Sequence, residues 1–128
     1  MKTQGMRTML GRVRGLGSAK EGVEHWWMQR VTAVALVPLL LWFVISVIGL
    51  VGAPYEAVVS WMGHPVSGLL LILLIVAVFH HAQLGIQVVL EDYVHNEGAK
   101  IACLLAVKGA ALLLGGIGVV SVLKLMLR

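Results

Sequence analysis

The sequence predicts an all-α integral membrane protein with three transmembrane helices, and three observations carry that fold class. Of the 128 residues, 59% are hydrophobic and 12% charged, where an ordinary soluble domain is about 25% charged. The apolar residues fall into three runs, each long enough for the roughly 20 helical residues that cross a bilayer. None of these runs alternates with the period of two that a membrane barrel requires. Lipid offers no hydrogen bonds, so the backbone of each run must satisfy itself, and a helix does this.

The elements follow in order. Residues 1–21 form a basic, Gly-containing tail, and residues 22–128 form the membrane domain. The first apolar run is too long, and begins too late, for the core of a cleaved signal peptide, so it is expected to stay as a span. That span covers about 31–51, with Pro38 inside it. A membrane helix tolerates such a proline when neighbours satisfy the freed carbonyl. The second span covers about 66–90 and the third about 99–125. GAPYEAVVSWMGHP and EDYVHNEG connect them, with Gly and Pro as breakers in the first.

Lys and Arg set the direction. Lys2, Arg7, Arg12, Arg14, Lys20 and Arg30 precede or open the first span, the first connection has no basic residue, and Lys124 and Arg128 close the chain. The N-terminus is therefore expected in the cytoplasm, which places the second connection, with Asp92 and Tyr93, on the same side. Trp26, Trp27, Tyr55, Trp61 and Tyr93 lie near the expected interfaces, where amphipathic rings settle. Ala102, Ala106 and Ala110 share one face of the third span, and Ala111 and Gly115 form a second ridge. Small residues let membrane helices approach closely, within one chain or between chains.

Composition also excludes functions. The basic tail lacks the interleaved aromatics of a single-strand nucleic acid binder, so no nucleic acid partner is expected. Cys103 is the single cysteine, which excludes an internal disulfide. There is no flavin fingerprint and no cysteine cluster, so chemistry that needs a flavin or a cysteine-held cluster belongs to other chains.

The chemistry is concentrated in FHHAQLGIQVVLEDYVH, residues 79–95. At 100° per residue, His81, Gly85, Val88 and Asp92 lie along one line of the second helix. A glycine one turn from a histidine lets a flat ring approach the backbone, and neutral imidazole is a common axial ligand of haem iron. His80 is the competing ligand, and it heads a parallel polar stripe with Gln83, Gln87 and Glu91 that suits a helix interface or a wet path. His25, His64 and His95 all lie near expected membrane edges, so a second axial ligand would come from another chain. Asp92-Tyr93 lies about 16 Å beyond His81. There a phenol can donate to a quinone carbonyl beside a carboxylate, or the pair can serve only as interface anchor and helix-end charge. Arg30 and His25 are on the same side as Tyr93 and suit haem propionates or a quinone head group. Arg30 also fits a snorkelling topology charge, and Lys108 either snorkels or pairs with an acid.

The pattern H-A-x-x-G-x-x-x-V-x-x-D-Y-V, here His81 to Val94, resembles the small hydrophobic membrane-anchor subunits of succinate dehydrogenase (succinate:quinone oxidoreductase, respiratory complex II). G-V-x-x-x-x-x-x-R-x-T-A, here Gly22 to Ala33, resembles the entry into their first helix. The resemblance implies that His81 is one axial ligand of haem b, the other coming from a larger cytochrome b anchor subunit bundled with this one. It implies that Tyr93 hydrogen-bonds ubiquinone with Asp92 beside it, and that Gly85, Arg30 and His25 belong to the haem or propionate surroundings. Flavoprotein and iron–sulfur subunits would dock on the cytoplasmic face of a bacterial inner membrane. The tail would lie on those subunits or on anionic lipid. Two features depart from the family pattern: the doubled His80-His81, and the order Glu24-His25, where the pattern has a histidine before the acid. The rival classes are a cofactor-free structural anchor and a transporter-type subunit using the His80 stripe.

Overall fold

The computed structural model describes residues 19–128. Four helices account for almost all of them: α1 (Ala19–Gly49), α2 (Tyr55–Gly63), α3 (Pro65–Tyr93) and α4 (Glu97–Met126). No strand occurs among the described residues. Residues 1–18, most of the basic tail, lie outside them. Gly22–Gly49, α3 and α4 are each long and apolar enough to cross a membrane.

The observed helices overrun the expected spans. α1 begins at Ala19, before its apolar run, because the residue types that precede the run are compatible with helix. α3 continues past Leu90 through Asp92 to Tyr93. α2 is an addition, since YEAVVSWMG reads in sequence as part of a loop.

Turn chemistry fixes the connections. Gly52 has φ 80°, a conformation that favours glycine, and it turns the chain after α1. The join between α2 and α3 is the single residue His64, whose Nδ1 accepts from Val66 N–H at 3.2 Å while Pro65 opens α3. Val94–Asn96 joins α3 to α4. The Asn96 side chain accepts from Ala99 N–H at 3.0 Å and caps α4.

α3 is the central helix, packing on both α1 and α4, while α1 and α4 share no backbone contact. The α1–α3 seam is antiparallel. Thr32 meets His81, and one and two turns on, Leu36 packs with Ala77 and Leu74, with Leu39 and Phe43 against them. The α3–α4 seam is antiparallel too: Phe79 lies against Gly115, Ile75 against Gly118, and Met126 against Gly68. α2 lies across the end where α1 finishes and α3 starts. Its Trp61 stacks on Trp42 of α1 at 5.6 Å, and Gly63 sits against the Leu125 carbonyl of α4.

The interior is thin. Among the described residues, Leu36, Leu71, Leu74, Ala77, Leu84 and Val122 are buried, and no side chain is completely enclosed. Much of the rest of the apolar surface, including Val34, Leu41, Ile45, Leu112 and Leu113, faces outward. An exposed apolar wall of this extent is normal for a chain solvated by lipid and by other membrane helices. Of the two small-residue ridges, Ala111 and Gly115 face the groove against α3, while Ala102, Ala106 and Ala110 are exposed.

Candidate functional site

His80 and His81 are about 100° apart on α3, and the two imidazoles serve different seams. His81 faces α1, where its Nδ1 is 2.9 Å from the Thr32 hydroxyl oxygen. Thr32 is the one buried polar side chain among the described residues, at 7% exposure. Its Oγ1 also lies 2.8 Å from the Met28 carbonyl and 3.0 Å from the Gln29 carbonyl. This is the usual back-bond of a helical threonine. His81 is only partly buried by this chain.

His80 faces α4. With Phe79, Gln83, Ala111 and Gly115 it lines a groove of about 390 Å³ between the two helices. The polar stripe on α3 runs out of this groove. Its first half is in this groove, while Gln87 donates to Glu91 at 3.1 Å on the exposed surface.

Gly85 is one turn from His81, and a Cβ added there would meet nothing within 4 Å. His25 and Thr32 lie on the same face of α1, about 10 Å apart along the axis. The Nε2 of His25 is buried and has no hydrogen-bond partner among the described residues. An orphaned buried nitrogen of this kind calls for a partner.

The remaining candidates are dispersed. Arg30 is about 200° round α1 from Thr32, with its guanidinium over the Trp26 ring at 5.4 Å. Asp92 and Tyr93 end α3 in the open, Tyr93 at 77% exposure. By the antiparallel register Tyr93 is level with the start of α1, which leaves Arg30 about 15 Å further along the axis. Lys108 is exposed, and the nearby ion pair is instead Lys100 with Glu97 at 3.7 Å. No three His, Cys, Asp or Glu side chains gather as a metal cage among the described residues.

The structure thus places His81 and His25 toward the α1–α3 seam, has Gly85 one turn along α3 from His81 with open space over its backbone, and leaves Arg30, Asp92 and Tyr93 apart. Thr32 is the site residue that sequence reasoning passed over. It lies 49 positions from His81, and only its place in R-x-T-A marked it at all.

Residues 4–116 match the family described as succinate dehydrogenase/fumarate reductase transmembrane subunit. Among curated relatives, the succinate dehydrogenase hydrophobic membrane anchor subunit of Rickettsia bellii is 30% identical over 106 residues, covering 83% of this chain and 85% of the relative. That of Paracoccus denitrificans is 33% identical over 93 residues, covering 73% and 72%. The succinate dehydrogenase membrane anchor subunit of Reclinomonas americana is 27% identical over 96 residues, covering 73% and 80%. No solved structure matches the chain.

Proposed function

The chain belongs to the succinate dehydrogenase/fumarate reductase transmembrane subunit family, and on that premise we propose that it is the small membrane-anchor subunit of a succinate dehydrogenase. It is a multi-pass membrane protein. Flavoprotein and iron–sulfur subunits carry the succinate chemistry and dock beside the N-terminal end of α1 and the α3–α4 connection, on the cytoplasmic side of the inner membrane. A larger cytochrome b anchor subunit covers the outward faces of this chain, and the tail, residues 1–21, lies on the soluble subunits or on anionic lipid. The dehydrogenase active site is in those other chains.

Within the membrane we assign His81 as one axial ligand of haem b, with the second ligand from the larger anchor subunit. Three features support the fit. The imidazole is held at Nδ1 by α1 and is only partly buried by this chain. The backbone at Gly85, one turn away, is clear of this chain's own atoms. The His25 Nε2, buried on the same seam, has no partner and suits a propionate oxygen. Arg30, on the opposite side of α1, supplies a cation on the partner-facing side. Haem b, when bound, supplies a one-electron store between the electron donors and the quinone.

Tyr93 and Asp92 are assigned to ubiquinone. Reduction of a quinone takes up two protons with two electrons, so its carbonyls need donors at the aqueous edge. The exposed Tyr93 hydroxyl donates to a carbonyl oxygen there, and the Asp92 carboxylate beside it orients the head group or passes a proton.

The single observation that carries the haem assignment is the separation of the two imidazoles, with His81 on the α1 seam beside the open Gly85 backbone and His80 in the α4 groove. The test is the reduced-minus-oxidised spectrum of the purified complex. His81→Ala is expected to abolish the b-type band and His80→Ala to leave it intact. A band that survives in both variants removes His81 from the iron.

A further inference from the structure

We infer that Thr32 is a positioning residue for the ligand histidine: its hydroxyl holds the His81 ring in the Nδ1–H tautomer and so leaves Nε2 as the nitrogen with a free lone pair. This rests on the assignment of His81 to haem iron.

Counting hydrogens around one oxygen decides the tautomer. Thr32 Oγ1 has three neighbours within hydrogen-bond distance: the Met28 carbonyl at 2.8 Å, the Gln29 carbonyl at 3.0 Å and His81 Nδ1 at 2.9 Å. Carbonyl oxygens only accept, and the hydroxyl has one hydrogen to give. If that hydrogen went to Nδ1, Oγ1 would present bare lone pairs to two carbonyl oxygens about 3 Å away with no hydrogen between them. The arrangement that satisfies every atom sends the hydroxyl hydrogen to the helix carbonyls and has Nδ1–H donate to Oγ1. Thr32 is 7% exposed, so water offers little competition.

The chemical consequence follows directly. An imidazole protonated at Nδ1 carries its lone pair on Nε2, on the ring edge facing away from α1. The ring is also fixed about its long axis, because the acceptor sits on a different helix whose own position is set by Leu36 against Ala77 and Leu74. Such outer partners fix ring orientation and raise ligand basicity at metal sites. His80, in the other seam, has no such hydrogen-bond partner among the described residues. The preference for His81 thus has a second basis beside the glycine at position 85.

The test uses the whole complex with three variants. Thr32→Val keeps the shape and removes the acceptor, Thr32→Ser keeps the acceptor, and His81→Ala is the control for ligation. The expected result for Thr32→Val is a rise in haem midpoint potential, a shift in the low-spin ferric g-values and a fall in haem affinity of about tenfold or more. Thr32→Ser is expected to match the unsubstituted complex in all three. Wild-type potential and g-values in Thr32→Val, with the b-type band lost in His81→Ala, overturn the inference and leave the ligand assignment standing. A band retained in His81→Ala overturns both. Should the valine variant fail to assemble, Thr32→Ala, which introduces no new methyl beside the ring, decides by the same readouts.

Discussion

Replacing Gly85 separates the fold of this chain from its use. An added Cβ at position 85 meets nothing within 4 Å, and alanine is favoured over glycine inside a helix by about 0.8–1 kcal/mol. Gly85→Ala is therefore expected to leave the isolated chain as stable as before or slightly more so. A planar ring lying against the backbone changes the sign. Carbon atoms in contact sit about 3.5–4.0 Å apart, and a Cβ projects about 1.5 Å from Cα, so the ring would have to retreat by roughly that distance. Its bond to His81 does not stretch to allow this. Overpacking of this kind costs about 1–3 kcal/mol, which corresponds to a fivefold to hundredfold fall in haem affinity. Gly85→Val, with two more carbons in the same gap, is expected to lie at the upper end. The assay is haem per complex by pyridine haemochrome, read beside thermal unfolding of the same preparations. Full haem content in Gly85→Val with an unchanged b-type spectrum would refute the close approach of a ring to this helix.

Further expectations concern the quinone end and the frame. Tyr93→Phe removes one hydrogen bond, worth about 0.5–1.5 kcal/mol, so kcat/KM for ubiquinone reduction should fall about two- to twelvefold; unchanged kinetics would take Tyr93 out of the site. Gly63→Ala would bring a Cβ to 2.8 Å from the Leu125 carbonyl oxygen. Both atoms are fixed to backbone, so the variant should lose about 1–3 kcal/mol of stability. Gly118→Ala meets only the Ile75 side chain, nearest at its Cδ1 end at 3.3 Å, and should unfold close to wild type in the same melt. Asn96→Ala removes the cap of α4 and should cost about 0.5–2 kcal/mol, with Asn96→Gly costing only a few tenths.

The three long helices were legible because lipid imposes a length, and runs such as LLLILLIVAVF meet it without help from tertiary structure. α2 was not. Nine residues between Pro54 and His64 carry too little periodicity to stand out, and the helix is held by Trp61 on Trp42 and Gly63 on Leu125, contacts between residues far apart in sequence. The line from His81 through Gly85 was readable because both residues lie on one helix. The partnership of His81 with Thr32 was not, since it depends on the register of two antiparallel helices 49 positions apart. The glycine at position 85 favoured His81 over His80 in sequence, whereas the helix that each imidazole faces, α1 for His81 and α4 for His80, depends on the order of the neighbouring helices. Arg30 and Tyr93 lie on one predicted side of the membrane. Sharing a side did not bring them together, because a face of a helix and a depth along it are separate coordinates.

The brevity of the links around α3 has a mechanical consequence. A single residue, His64, ties its beginning to α2, and Val94–Asn96 ties its end to α4. A rod clamped this closely at both tips cannot roll about its own length without dragging its neighbours along. Under the proposed haem assignment, that coupling would help to hold the gap between electron donor and acceptor constant from one turnover to the next.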